Sequence, residues 1–119
     1  CALPISEPQN LIHLKQNTSV DELKEMVKSA NGLVIVDFFA TWCPPCQRLG
    51  QQLPKLAAEH PNVKFIKVDV ELNESLAASF GVSSIPHIVF LKFDETLKTL
   101  DTVTGFNMNK IVQNINNFQ

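Results

Sequence analysis

The sequence is poor in the features that mark several classes of protein. Its 119 residues include only three cysteines, too few for the disulfide framework of a small secreted scaffold. Lys and Arg number 10 against 12 Asp and Glu, so no basic excess is present to neutralise phosphates, and no nucleic-acid partner is expected. The longest apolar run, 33–40, is interrupted by Asp37 and is far shorter than the ~20 residues that cross a bilayer. No membrane partner is therefore expected.

Length and composition predict one folded domain. A hydrophobic content of 45% against 18% charged residues is typical of a chain with a core and excludes a disordered composition. We predict a single domain over residues 1–119, with an irregular lead-in at 1–10 that contains Pro4 and Pro8, and we expect a monomer. The chain begins at Cys1 and not at Met, so the sequence leaves open whether a targeting segment has been removed. A cytoplasmic location is expected.

Apolar spacing and turn residues predict alternating strands and helices. Two runs rich in β-branched and aromatic residues, 33–39 and 63–69, predict buried strands, and the helical stripe between them at 46–60 implies parallel pairing with a right-handed crossover. The other predicted elements are a strand at 11–14, a helix capped by Ser19 and Glu22, a helix at 74–80, a hairpin of strands 88–91 and 97–103 around a turn at 93–96, and a last helix from Asn107. This order predicts an α/β fold, a mixed sheet of four to five strands with helices on both faces.

Cys43 and Cys46 are expected where the strand of 33–39 ends and the next helix begins. Unpaired N–H groups and aligned peptide dipoles make a helix start partly positive, which stabilises a thiolate on Cys43 and lowers its pKa below about 8.5. Pro44 and Pro45 cost little there, because their missing N–H groups would be unpaired anyway. A spacing of three brings both sulfurs within disulfide reach. We predict that Cys43 is the more exposed nucleophile and Cys46 the shielded resolving thiol.

Two other interpretations of the cysteine pair are weaker. A zinc half-site needs a second pair of ligands at a regular spacing, and the remaining candidates show none, so no metal is expected. These candidates are Cys1, His13, His60 and His87. A purely structural disulfide across so short a loop would remove little entropy from the unfolded chain. We expect no bound cofactor, and the pair itself would act as a redox-active disulfide.

The segment 36–46 (VDFFATWCPPC) resembles the active-site segment of the thioredoxin family, with Pro44 where most members carry Gly. The likeness extends to 67–69 (KVD), 81–86 (GVSSIP) and 104–105 (TG), and so covers about residues 33–118. The resemblance implies a thioredoxin fold for the single domain and a protein thiol–disulfide oxidoreductase activity. It also implies protein disulfides as substrates and a thioredoxin reductase, or an equivalent reductant, as the source of electrons.

The resemblance implies catalytic roles for four residues. Cys43 would attack a target disulfide, and Cys46 would resolve the mixed disulfide. Asp37 would accept the proton of Cys46 through water, and burial of an isolated carboxylate supports this role because it raises the pKa. The alternative is that Asp37 serves only as the ion-pair partner of Lys67. Lys67 is the fourth candidate, and its own alternative is a strand lysine that merely extends its ammonium to solvent.

The resemblance also implies a substrate-binding surface. Its candidate residues are Trp42, Pro44, Pro45, Ile85, Pro86 and Gly105. Pro86 matches the cis-proline of the family, while a trans proline that opens a strand remains the alternative. Trp42 would shape the docking surface or would be an ordinary core aromatic. Gly105 would let the backbone of a partner come close, or would simply be a turn residue.

Two departures from the family pattern leave the redox potential open. Pro44 changes the relative stability of the dithiol and disulfide states. His87 stands where the family commonly has Thr, and a protonated imidazole near Cys43 would acidify it, unless strand alternation turns His87 to the other face. The alternatives to a thioredoxin that reduces protein disulfides are an oxidase or isomerase, a tryparedoxin-like protein reduced by a small dithiol, and a non-catalytic thioredoxin-like binding module.

Overall fold

Five strands and four helices follow one another along residues 7–119, the part of the chain that the computed structural model describes. They are β1 (Leu11–His13), α1 (Val20–Ala30), β2 (Val34–Phe39), α2 (Pro44–Glu59), β3 (Lys64–Asp69), α3 (Glu74–Ser79), β4 (His87–Asp94), β5 (Thr96–Thr104) and α4 (Met108–Phe118). This order is the predicted one. Cys1 and the predicted lead-in up to residue 6 lie outside the described residues.

The strands form one mixed sheet in the order β1-β3-β2-β4-β5. β3 pairs in parallel with β1 and β2, whereas β4 pairs antiparallel with both β2 and β5. α2 connects the parallel neighbours β2 and β3, as the strand–helix–strand pattern predicts. The expected mixed sheet with helices on both faces is therefore confirmed, with β2 at its centre.

Side chains alternate between the two faces of the sheet, and this alternation decides which groups can meet. One face packs against α2 and α4 with Ile35, Phe65, Ile88 and Phe90. The other packs against α1 and α3 with Val36, Ile66, Val89 and Leu91. Asp37 and Lys67 are register partners on β2 and β3 and share the α2/α4 face. His87 is paired with Phe38 and shares the α1/α3 face.

The predicted hairpin is confirmed, but its turn is tighter than the expected 93–96. Phe93 and Asp94 continue β4, β5 begins at Thr96, and only Glu95 lies between the two strands. Glu95 has a φ of 64°, a left-handed conformation that reverses the chain within one residue. Because such a conformation is usual for Gly or Asn and not for Glu, the sequence carries no signal for so tight a turn.

Candidate active site

The two cysteines form a disulfide across the first turn of α2. Cys43 is the N-cap residue, with extended backbone angles, and Pro44 and Pro45 occupy the first helical positions. Since neither proline has an N–H group, the first free amide of the helix belongs to Cys46, and it donates to Cys43 Sγ at 3.3 Å. The first turn also contains no acidic side chain. This end of α2 therefore stabilises negative charge on the Cys43 sulfur.

The expected contrast in exposure between the two cysteines is absent. Cys43 is 4% exposed and Cys46 is 3% exposed, so neither residue stands out from the surface in this disulfide form. Both pack in one small cluster with Phe39, Ala40, Val70 and Ile85. The short loop places both sulfurs beneath the same neighbours, which explains why the prediction is wrong. Trp42 is the exposed residue here, at 64%, and is no core aromatic.

Three loops meet at the disulfide. Cys43 Sγ lies 4.0 Å from the carbonyl oxygen of Ile85. The following peptide bond, Ile85–Pro86, is cis, which confirms the expectation from the resemblance. Gly105 has a φ of 82°, a conformation that favours glycine, and its N–H donates to the Pro86 carbonyl at 2.8 Å. The structure thus places Ile85 against Cys43, and Gly105 is hydrogen-bonded to the adjacent Pro86.

Asp37 is buried on the α2/α4 face of the sheet. It is 1% exposed, and neither carboxylate oxygen has a hydrogen-bond donor among residues 7–119. Burial raises the pKa of Asp37 from 3.8 to about 7, and the Lys67 cation on the next strand opposes this rise. The salt bridges within 4.0 Å that the described residues form do not include Asp37 and Lys67. Asp37 is therefore no simple ion-pair partner, and it can gain or lose a proton near neutral pH.

Lys67 is held between an aromatic ring and a helix. Its Nζ lies 4.7 Å from the centre of the Phe39 ring. On the side of α2, a Cβ added at Gly50 would come within 3.3 Å of Nζ, so glycine leaves room for the ammonium group. A cavity of about 290 Å³ opens here, and Lys67, Gly50, Gln47 and Cys46 all line it. The Lys67 ammonium and Cys46 therefore share one solvent-accessible cavity.

His87 lies on the opposite face and is no partner for the thiolate. It is 8% exposed and meets Phe38 edge to face, with 6.0 Å between ring centres. Burial lowers the pKa of His87, so the imidazole stays neutral at neutral pH. The hypothesis that a protonated His87 acidifies Cys43 is therefore wrong, because strand alternation turns the ring toward α1 and α3 and burial disfavours its charge.

Two absences hold for the described part of the chain. Within residues 7–119, no three His, Cys, Asp or Glu side chains come together closely enough to hold a metal ion. Over the same range, no helix combines the length and the apolar character needed to cross a membrane.

Arg48, two residues after Cys46, and Phe106, directly after Gly105, form a contact that the sequence did not predict. Phe106 follows Gly105 and is 40% exposed. The guanidinium carbon of Arg48, on α2, lies 5.7 Å from the centre of the Phe106 ring. An aromatic residue beside a glycine in a loop is the one signal that the sequence offers. The contact itself depends on the fold, because the two residues are far apart in the chain.

Comparisons with known proteins agree with this geometry. The thioredoxin family model matches residues 14–117. Thioredoxin H3 from Arabidopsis thaliana is 36% identical over 100 residues, which cover 82% of each chain. The structure of Trichomonas vaginalis thioredoxin matches with a TM-score of 0.87 at 46% identity, covering 92% of this chain and 98% of that chain. The crystal structure of Schistosoma mansoni thioredoxin matches with a TM-score of 0.81 at 32% identity, covering 96% and 100%.

The fold and the disulfide together define a dithiol–disulfide oxidoreductase. With the matches over most of its length, the chain belongs to the thioredoxin family. Proteins of this family need no bound cofactor, since the cysteine pair itself carries the two electrons. The family generally acts on protein disulfides together with a reductase.

Proposed function

We propose that this protein reduces disulfide bonds in other proteins in two exchange steps. First, the Cys43 thiolate attacks a substrate disulfide, a mixed disulfide forms, and one substrate thiolate leaves. Second, the Cys46 thiolate attacks Cys43 Sγ, the second substrate thiolate leaves, and the Cys43–Cys46 disulfide closes. Two electrons pass to the substrate, whose two thiolates take up protons. The observation that carries this proposal is the Cys46 N–H directed at Cys43 Sγ, which marks Cys43 as the attacking sulfur.

We assign Asp37 as the proton acceptor for Cys46, acting through water. The carboxylate is buried and without a hydrogen-bond donor among the described residues, and its pKa of about 7 suits transfer near neutral pH. The cavity beside Cys46 is large enough for several water molecules. Lys67 lies at this cavity, where its charge limits the rise in the pKa of Asp37. Lys67 is therefore a positioning residue that adjusts the base.

The substrate would lie as an extended segment across the three loops around the disulfide. Trp42 offers an exposed aromatic surface, and the backbone of Ile85 and Pro86 runs beside Cys43. An extended segment can form main-chain hydrogen bonds along such an edge. The left-handed Gly105 keeps a side chain out of the approach. Pro44 and Pro45 would form the rim at the start of α2.

The electrons would return from a separate reductase. The four glycines of the chain form no G-x-G-x-x-G array for a nicotinamide or flavin nucleotide. A reducing compartment, the cytoplasm, and a monomeric state complete the proposal. The low cysteine content supports a reducing compartment, because secreted small domains are rich in structural disulfides.

The equilibrium redox potential of the Cys43–Cys46 couple tests the direction of the reaction. It can be followed by the fluorescence of Trp42, the single tryptophan, in dithiothreitol or glutathione buffers. A potential near about −270 mV supports a reductant of proteins. A potential from about −180 to −120 mV would instead indicate an oxidant or isomerase. The absence of a reversible transition would leave a non-catalytic binding module.

Cysteine variants test the order of the two steps. Cys43→Ser should abolish turnover, whereas Cys46→Ser should accumulate a mixed disulfide with the substrate, visible by mass spectrometry. Cys1→Ser is the matched control and should behave like the wild type. Turnover of Cys46→Ser at the wild-type rate would contradict the mechanism with two thiols.

A further inference from the structure

We propose that Arg48, stacked on Phe106, selects protein substrates that carry a carboxylate side chain beside their reactive disulfide. This inference rests on the proposed reduction of protein disulfides and specifies which disulfides are preferred. The carboxylate would come from an Asp or Glu of the substrate. The guanidinium group would bind it while the disulfide lies at Cys43.

Phe106 belongs to the substrate surface through its connection to the loops around the disulfide. It directly follows Gly105, whose N–H donates to the Pro86 carbonyl at 2.8 Å. The carbonyl oxygen of Ile85, the residue before Pro86, lies 4.0 Å from Cys43 Sγ. The Phe106 ring, 40% exposed, therefore lies in the loop beside the one that touches the reactive sulfur. A substrate docked on the disulfide would pass close to this ring.

Arg48 lies over this ring. The guanidinium carbon lies 5.7 Å from the ring centre, a distance typical of a cation–π contact. Arg48 is exposed, and no carboxylate lies within 4.0 Å of it among residues 7–119. A guanidinium in contact with a ring can still direct N–H groups to a ligand, and their geometry matches the two oxygens of a carboxylate. Stacking on Phe106 also reduces the entropy that Arg48 loses on binding.

The charges of α2 favour a negatively charged partner at this point. The helix has three charged side chains, in the order Arg48, Lys55 and Glu59 from its start to its end. The acidic one lies at the end away from the disulfide. The part of α2 nearest the disulfide thus carries positive charge, although the net charge of the whole chain is −2. A carboxylate next to a substrate disulfide would be attracted there and a lysine would be repelled, and both effects contribute to specificity.

The test compares three peptides that differ in one residue beside a disulfide, with Asp, Lys or Ser at that position. For each protein, the kcat/KM with the Asp peptide and with the Lys peptide is divided by the kcat/KM with the Ser peptide. A general loss of activity then cancels from the ratio. The wild type should prefer Asp over Lys by about three- to tenfold at low salt, and less at high salt. Arg48→Glu should reverse the preference, and Phe106→Ala should weaken it.

Lys55→Glu is the matched control. It makes the same change of charge on the same side of α2, but seven residues and therefore ~10 Å further along the helix axis. It should keep the wild-type preference. Equal effects of Arg48→Glu and Lys55→Glu would overturn the inference, because they would show a general effect of net charge. A wild type that reduces all three peptides equally would overturn it as well and leave the proposed function standing. A wild type that reduces none of them would refute both.

Discussion

Asp37 and His87 are two buried ionisable side chains on neighbouring strands, and they differ in what each one faces. Asp37 points to the α2/α4 face, where Lys67 is its register partner and a cavity opens beside Cys46. His87 points to the α1/α3 face, where the ring of Phe38 packs edge to face against it. Burial disfavours the charged form of both groups, since it raises the pKa of Asp37 and lowers that of His87.

Burial shifts the pKa of both groups, but only the shift of Asp37 gives a group that can exchange a proton near neutral pH. Asp37 has a pKa of about 7, so it exists in both protonation states at neutral pH. His87 has a lowered pKa and an Nδ1 atom without a hydrogen-bond partner among the described residues, so it stays neutral and carries the cost of a buried polar atom. A perturbed group supports catalysis only where protons can reach it. Lys67, the register partner of Asp37, lines the cavity beside Cys46, whereas His87 packs against Phe38 on the other face of the sheet.

Asp37→Asn should give the largest effect. The wild-type carboxyl keeps its proton up to a pH of about 7 in the folded state, but loses it near 3.8 when unfolded. The folded state therefore binds more protons between these values, and stability falls as the pH rises through this window. Above it the cost is complete, at about 4 kcal/mol for the shift to about 7. Asparagine does not titrate. The stability of the variant relative to the wild type should therefore be higher at pH 8.5 than at pH 4 by about that amount.

Urea unfolding of Asp37→Asn and the wild type at both pH values measures this gain. The resolving step should also slow by about a hundredfold, because Cys46 loses its proton acceptor. Single-turnover reduction of a model disulfide checks this rate. A variant with the wild-type dependence of stability on pH would show that Asp37 is not the buried acid that the structure describes.

Lys67→Met should raise the pKa of Asp37 further, because the variant removes the cation that opposes the effect of burial. Methionine keeps most of the apolar contact with the Phe39 ring. Carboxyl chemical shifts of Asp37, followed by NMR across pH 5 to 10, measure the change. Lys64→Met on the same strand is the matched control, since Lys64 pairs in register with Val34 and not with Asp37. An equal shift in both variants would mean that Lys67 acts only through the total charge.

His87→Thr should have the smallest effect, and it tests the other face. In the wild type the unfolded histidine gains a proton near 6.5, whereas burial in the folded state lowers its pKa. The unfolded state then binds more protons, so the wild type loses stability as the pH falls below 6.5 and the variant does not. Denaturant unfolding at pH 5 and pH 8 separates this slope from the constant cost of the lost packing. The pH at which Cys43 becomes reactive to iodoacetamide should not change, and a clear rise would restore His87 to the active site.

The elements and the reactive pair were predictable because their signals are local. The capping box at Ser19 and Glu22 forms as expected at the start of α1. The β-branched run before Cys43 forms the central strand, and the spacing of Cys43 and Cys46 places both sulfurs in the first turn of α2. Neighbouring residues determine each of these features.

Features that depend on distant contacts were not predictable in the same way. Strand alternation alone left the face of His87 open until the register with Phe38 determined it. The tight turn at Glu95 has no glycine or asparagine, the residues from which a turn with a positive φ is usually predicted. The equal burial of the two cysteines depends on the loop of Ile85 and Pro86, which approaches from another part of the chain.

By itself, the sequence determined the order of elements, the mixed sheet and the chemistry of the cysteine pair. These follow from side-chain periodicity, capping and the positive end of a helix, which act over a few residues. Only the tertiary structure decided that Asp37 has no hydrogen-bond donor among the described residues, that His87 faces away from the thiols and that Arg48 lies over the ring of Phe106. The physical reason is that burial, register and contact between loops are properties of the packed chain, and they set the pKa values and the surface that a substrate meets.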